Sequence, residues 1–161
     1  MKAGLALVPE GRRLFASLTL EENLLIGATR GRRGDWGLER VYELFPWMHE
    51  RRKMTTVFLS GGEQQSAAIG RALMSNPRVL LLDELSLGLA PAVIQRLYAM
   101  LPTLLEGGMA VLVVEQDVTQ ALRASQHAHC LLEGRITLSG RPQDLAPAEV
   151  EAAYFGFERR S

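Results

Sequence analysis

The run from Leu59 to Pro91, LSGGEQQSAAIGRALMSNPRVLLLDELSLGLAP, constrains the fold most, because it prescribes a helix, a buried strand and a charged strand end in fixed order. Ser60 and Glu63 have the S-x-x-E spacing of a capping box, in which each side chain bonds the other residue's amide. Gly61 and Gly62 between them carry no side chains, so amides at the positive end of the helix dipole lie open to a phosphate oxygen. Ser75-Asn76-Pro77 stops the helix. Val79-Leu80-Leu81-Leu82 is then short, continuous and apolar, the pattern of a strand buried on both faces of a parallel sheet. Asp83 and Glu84 follow at its carboxyl end, where open α/β sheets bind ligands. Side chains alternate along extended backbone, so the two carboxylates are expected on opposite sides. One can hold a metal ion while the other faces a water, as in phosphoryl transfer.

At this point the sequence resembles the ABC-type ATPases, with Leu59-Ser60-Gly61-Gly62-Glu63-Gln64-Gln65 as the signature and Leu80-Leu81-Leu82-Asp83-Glu84 as the Walker B segment. The resemblance implies an α/β fold: a partial P-loop NTPase (ABC ATPase) with a mostly parallel sheet and a helical subdomain. It implies ATP and Mg²⁺ as cofactors, Asp83 as the metal ligand and Glu84 as the catalytic residue acting on water. Ser60, Gly61, Gly62 and Glu63 would bind the ATP of an opposing subunit. Glu10 stands where the family's Q-loop usually has Gln, keeping a metal or water contact with a negative charge, or serving only as a solvated loop glutamate. Gln116 replaces the histidine that most relatives set against the γ-phosphate; it can donate or accept there but cannot titrate near neutral pH. Leu85 replaces a common proline, removing the fixed φ that helps hold the turn at Glu84. Ala90 replaces an aspartate of the D-loop. The phrases Val8-Pro9-Glu10-Gly11-Arg12-Arg13-Leu14-Phe15, DELSLGLAP and Val114-Glu115-Gln116-Asp117 are similar to the second, LivF-like ATPase type of branched-chain amino-acid importers. The match covers nearly the whole chain.

From the start, Leu5-Ala6-Leu7-Val8 reads as a strand that breaks at Pro9-Glu10-Gly11. Arg12-Arg13-Leu14-Phe15 is either a docking surface or an ordinary exposed arginine pair. Thr19 to Glu22 is a second capping box opening a helix, and Arg30 to Asp35 is a Gly-rich basic loop. Leu38, Val41, Tyr42 and Phe45 fall at helical spacing, and Pro46 closes or kinks that helix. Glu50-Arg51-Arg52-Lys53 reads as a solvated surface. Residues 14–75 would form the family's helical subdomain, with 1–13 and 76–161 as the remaining α/β core of one incomplete domain.

Pro91 to Glu106 reads as a crossover helix interrupted by Pro102, ended by Gly107-Gly108. Ala110 to Val114 would then be a second buried strand lying parallel beside the first. Asp117 caps a further helix to about Ser125, and residues 128–132 and 135–139 form a hairpin. His127 and His129 are read as structural, since no further metal ligands stand near them in sequence. Pro142 and Pro147 precede short helical segments, and Arg159-Arg160 belongs to peripheral packing.

A chain of 161 residues can bury a real core. Its formal net charge of zero gives no basic excess for a phosphate backbone, so nucleic acid is not an expected partner. The single cysteine, Cys130, lies in an apolar stretch and reads as a small core residue, which fits a reducing cytosol. No apolar run approaches the roughly 20 residues that span a bilayer. Action at a membrane would therefore be peripheral, at its cytoplasmic face, by docking on transmembrane permease subunits.

Nowhere in the 161 residues is there a G-x-x-x-x-G-K-[ST], whose amides and lysine cradle the β- and γ-phosphates. The sequence therefore reads as an ABC ATPase beginning after its Walker A segment. Two functions stay open: an ATP-hydrolysing importer subunit that as a fragment binds little ATP alone, and a non-catalytic module lending its signature helix to an intact second ATPase subunit. The family also places the Walker A strand inside the sheet, between the strands at 110–114 and 128–132, so two unpaired apolar edges are expected without it.

Overall fold

The computed structural model describes residues 3–156 and divides the chain into two units, one up to Val114 and one from Glu115. Strand β1 (Leu5–Val8) opens the first, turning Ala6 and Val8 inward and leaving Leu5 and Leu7 exposed. Helix α1 (Leu20–Ala28) starts at Thr19 with both halves of the expected capping box in place. Its buried residues Leu20, Asn23, Leu24 and Gly27 fall at helical spacing. In α2 (Leu38–Leu44), Val41 is buried, and Phe45 leaves helical geometry at φ −131° and ψ 76°, as a residue preceding proline must. The short α3 (Trp47–Glu50) begins directly after Pro46. Then comes α4 (Gly61–Leu73), which packs on α1 so closely that a Cβ on Gly27 would lie 1.9 Å from the Arg71 carbonyl oxygen.

Buried Asn23 ties the chain entering α1 to that helix. Its amide group donates to the carbonyls of Phe15, Leu18 and Thr19, and its oxygen accepts from the Phe15 N–H at 2.8 Å. Thr56 Oγ1 adds a further donor to the Phe15 carbonyl. Truncating Asn23 strands buried backbone groups, so Asn23→Ala is expected to lose about 2–4 kcal/mol in urea unfolding. An unchanged midpoint would show that the network carries no stability.

Strand β2 (Val79–Asp83) follows α4 and lies at the centre of the sheet. The crossover is two helices, α5 (Pro91–Ala99) and α6 (Leu101–Glu106), because Pro102 lacks the N–H that would continue the first and sits in the opening turn of the second. Gly108, at φ 78°, ends the pair and leads into β3 (Ala110–Val114). Both neighbours pair parallel to β2, with Leu7, Leu81 and Leu112 in one row.

The expectation of strands buried on both faces is corrected. Leu80 and Leu82 are 0% and 1% exposed, but Leu112 and Val114 are 53% and 54% exposed and share the outer face with Leu5 and Leu7. Helices α4 and α6 pack on β1 and β3, and the outer face keeps Leu5, Leu7, Leu112 and Val114 about half exposed. The order β1-β2-β3 also leaves β3 at an apolar edge.

In the second unit, Asp117 caps α7 (Val118–Ala124), its carboxylate accepting from the Gln120 N–H at 3.0 Å. Strands β4 (Ala128–Leu132) and β5 (Arg135–Gly140) form the expected antiparallel hairpin. Glu133 and Gly134, both at positive φ, make its two-residue turn. A short 3₁₀ turn at Pro142–Asp144 precedes α8 (Pro147–Phe155), which packs on the hairpin. Cys130 is half-buried, and burial pushes its thiol pKa up. His127 meets Ser139 Oγ at 3.1 Å. Arg159 and Arg160 lie outside the described residues. Among the described residues no helix is long and apolar enough to cross a membrane.

Candidate functional site

The start of α4 follows from the local sequence. Ser60 takes extended backbone, its Oγ accepts from the Glu63 N–H at 3.4 Å, and Glu63 Oε2 accepts from the Ser60 N–H at 2.8 Å. The other oxygen of Glu63 accepts from Arg51 at 2.6 Å, so this carboxylate is already neutralised. Arg51 makes this contact from the solvated surface expected of residues 50–53, its side chain 46% exposed. Among the described residues, no hydrogen bond engages the Gly61 or Gly62 amide.

The two glycines differ in their surroundings. The atoms nearest a Cβ on Gly61 would be those of the Arg12 guanidinium, the first at 3.1 Å, whereas one on Gly62 would lie 2.4 Å from Val93 Cγ1 of α5. The expectation that neither carries more than an open amide is thus incomplete, since Gly62 also lets α5 approach. Gln64 closes the mouth from below, donating to the Thr56 and Leu59 carbonyls and accepting from Arg12 Nη1 at 3.4 Å.

Asp83 ends β2 in the outer-facing row, opposite Val114. Glu84 has already left the strand at φ 48°, with its N–H donating to the Val114 carbonyl at 3.0 Å. The strict alternation expected of the pair therefore stops at Asp83. A non-glycine residue at positive φ is strained and persists where its surroundings hold it. Leu85 supplies the hold: it is 1% exposed, so core packing replaces the fixed φ that a proline would give. Glu10 is exposed, two residues beyond Val8, and β1 runs parallel to β2, so it leaves the same end of the sheet as Asp83.

The loop after β1 and helix α5 after β2 both reach the start of α4. Arg12, after β1, contacts Gln64 and faces Gly61; Val93, after β2, faces Gly62. Glu10, Asp83 and Glu84 thus follow the carboxyl ends of β1 and β2, while Ser60 to Glu63 open α4, which Arg12 and Val93 approach. Gln116 belongs to the second unit, where it is exposed and its carbonyl accepts from the Tyr154 hydroxyl at 3.4 Å.

Two residues of this end escaped the sequence reading. Arg71, on α4, donates to the carbonyls of Arg13 and Arg12 at 2.8 and 3.2 Å, and burial lowers its pKa. Asn23 holds Phe15. A polar residue on α1's buried stripe was the available signal for Asn23; Arg71 had none, since its partners lie 58 and 59 positions away.

The donor set suits a nucleotide and a hard cation. Open helix-start amides beside a guanidinium match phosphate oxygens. Among the described residues no cluster of three or more His, Cys, Asp or Glu forms a metal cage. Mg²⁺ asks for less: one or two carboxylates, with phosphates and waters completing its shell.

Comparison with known proteins agrees. The sequence profile of the family described as ABC transporter matches residues 1–86. The chain is 45% identical to the high-affinity branched-chain amino acid transport ATP-binding protein BraG of Pseudomonas aeruginosa, over 97% of this chain and 68% of that protein. It is 32% identical to the probable branched-chain amino acid transport ATP-binding protein LivF of Archaeoglobus fulgidus, over 92% of this chain and 64% of the relative. A dimeric, post-hydrolysis structure of the ATP-binding cassette MJ0796 bound to ADP and Pi superposes with a TM-score of 0.74 at 25% identity, covering 88% of this chain and 64% of that one. The chain spans about two thirds of the length of these relatives.

Proposed function

Because the chain belongs to the ABC transporter family, we propose that it serves as an ATP-binding and ATP-hydrolysing subunit of an importer for branched-chain amino acids. The similarity to BraG over nearly the whole chain supports the substrate class. The observation that supports the mechanism is the approach of Arg12, from the loop after β1, and of α5, through Val93, to the open start of α4, with the Asp83–Glu84 pair at the carboxyl end of β2. In this reading residues 14–75 are the helical subdomain, and 1–13 with 76–161 are the core remainder.

MgATP, when bound, supplies the scissile phosphoanhydride and the cation that spreads its charge. Ser60, Gly61 and Gly62 act on the nucleotide of a second ATPase subunit, with Glu63 holding the mouth in shape. Asp83 would hold Mg²⁺, Glu84 would orient and deprotonate the attacking water, and Glu10 would serve near the γ-phosphate; a γ-phosphate role for Gln116 rests on the family resemblance alone. The partners are that second subunit and the transmembrane permeases, at the cytoplasmic face of the membrane. Without a phosphate-binding loop in its 161 residues, the chain alone is expected to give no resolvable MgATP isotherm; a tight, Mg²⁺-dependent one would contradict the shared site.

The reading is tested by sedimentation with a family ATPase subunit that carries its own phosphate-binding loop and a hydrolysis-blocking substitution. A heterodimer is expected with MgATP and not with ADP; none at saturating MgATP overturns it. The missing loop motif also favours a second reading, a non-catalytic module that lends α4 alone. Glu84→Gln, paired with a hydrolysis-competent family subunit in place of the blocked one, separates the two. It is expected to cut hydrolysis by the mixed pair about 100-fold or more if Glu84 acts on the water, and to leave the rate unchanged for a module.

A further inference from the structure

After β1 the backbone makes three successive left-handed residues, Gly11 at φ 74°, Arg12 at 63° and Arg13 at 47°. Two of these carry side chains, so the conformation needs an external hold. Arg71 provides it. Its guanidinium donates to the Arg13 carbonyl at 2.8 Å and the Arg12 carbonyl at 3.2 Å, and it lies 5.8 Å from the centre of the Phe15 ring. The Phe15 backbone is itself fixed by Asn23 and Thr56, so the strap is anchored on both sides.

The outcome is the placement of Arg12. Its Nη2 and Nη1 lie 3.1 and 3.3 Å from where a Cβ of Gly61 would stand, so the absent side chain is the space the guanidinium uses. Among the described residues, its side chain makes one hydrogen bond, the long 3.4 Å contact to Gln64. The nearest carboxylate on α4, Glu63, is taken by Arg51 and the Ser60 amide and does not compete. A guanidinium presents five donors in a planar fork suited to two phosphate oxygens, which a lysine ammonium cannot match.

We propose that Arg12 is a further phosphate-binding residue of the shared nucleotide site and that Arg71 is the positioning residue that holds it there. The proposal rests on the reading of the preceding subsection. It assigns the Arg12–Phe15 segment inward, to the nucleoside triphosphate presented by the second subunit, rather than to a docking face.

The test is a double-mutant cycle on MgATP-dependent association with the hydrolysis-blocked subunit. Arg12→Gln and Arg71→Met are each expected to weaken it about tenfold, with the double variant no weaker than either alone, because both remove one contact. Arg12→Lys should fall in between, and Arg71→Lys should recover part of the loss. Arg71→Met should also speed tryptic cleavage after Arg12 and Arg13 while leaving cleavage after Arg51 and Lys53 unchanged. Wild-type affinity in Arg12→Gln overturns the assignment of Arg12, and multiplying losses in the double variant overturn the positioning role. Should Arg71→Met fail to fold, Arg12→Gln and Arg71→Lys decide the same two points. Failure of the wild-type chain to associate at all would instead defeat the underlying reading, and the proposal with it.

Discussion

Gly27→Ala is expected to unfold the first unit at temperatures where the wild type is intact, although alanine is the better helix former by about 1 kcal/mol. The reversal of sign comes from geometry. The added Cβ would stand 1.9 Å from the Arg71 carbonyl oxygen and 3.0 Å from Met74 Cβ, and a backbone carbonyl cannot swing aside as a side-chain tip can. Helices α1 and α4 must separate, opening the core that Leu24, Ile69 and Leu73 fill. Overpacking of this kind costs about 3 kcal/mol, which lowers the melting temperature by roughly 10 °C for a unit of this size. Gly37→Ala is the control: nothing lies within 4 Å of its Cβ, so its melt should move by only a degree or two. Equal melting temperatures for the two variants would refute the close approach of α1 and α4.

Gly61→Asp is expected to separate folding from function. The atoms nearest its Cβ belong to the flexible tip of Arg12, which can move to make room for the side chain. An acidic residue in the first turn of α4 also favours the helix dipole, by about 0.3–1 kcal/mol. The melting temperature should therefore hold or rise slightly. The same carboxylate occupies the mouth where a phosphate would meet the Gly61 and Gly62 amides, repels it and pairs with Arg12. MgATP-dependent association should fall at least about 100-fold, or roughly 2.7 kcal/mol. Gly61→Ala, which adds bulk without charge, should fall only a few-fold. Equal affinity for wild type and Gly61→Asp would remove the start of α4 from the nucleotide site.

What the sequence disclosed and what it withheld divide along locality. Both capping boxes, at Thr19–Glu22 and Ser60–Glu63, form as read because all their partners lie within four residues. Strands β1, β2 and β3 and the hairpin were legible from short apolar runs bounded by turns. The burial of those strands was not: Leu112 and Leu81 share a row, and their exposure depends on what covers the sheet, which no strand's own pattern encodes. The break at Met100 was half legible, since Pro102 announced an interruption without fixing which residue would absorb it. For the proposed site, motif wording singled out Ser60 to Glu63, Asp83 and Glu84. The φ of Glu84, the buried anchor at Leu85 and the grip of Arg71 on the Arg12 loop depend on distant contacts, and none has a local signature.

The central claim is that this chain supplies the signature half of a nucleotide site completed by another ATPase subunit. Its most direct measurement is complementation. A family subunit with an intact phosphate-binding loop but a disabled signature helix, inactive as its own dimer, is titrated with this chain while phosphate release is followed. Hydrolysis is predicted to rise in proportion to added chain and level off at one equivalent, with no rise for the Gly61→Asp variant. No hydrolysis at any ratio, or the same rise with Gly61→Asp, would contradict the account.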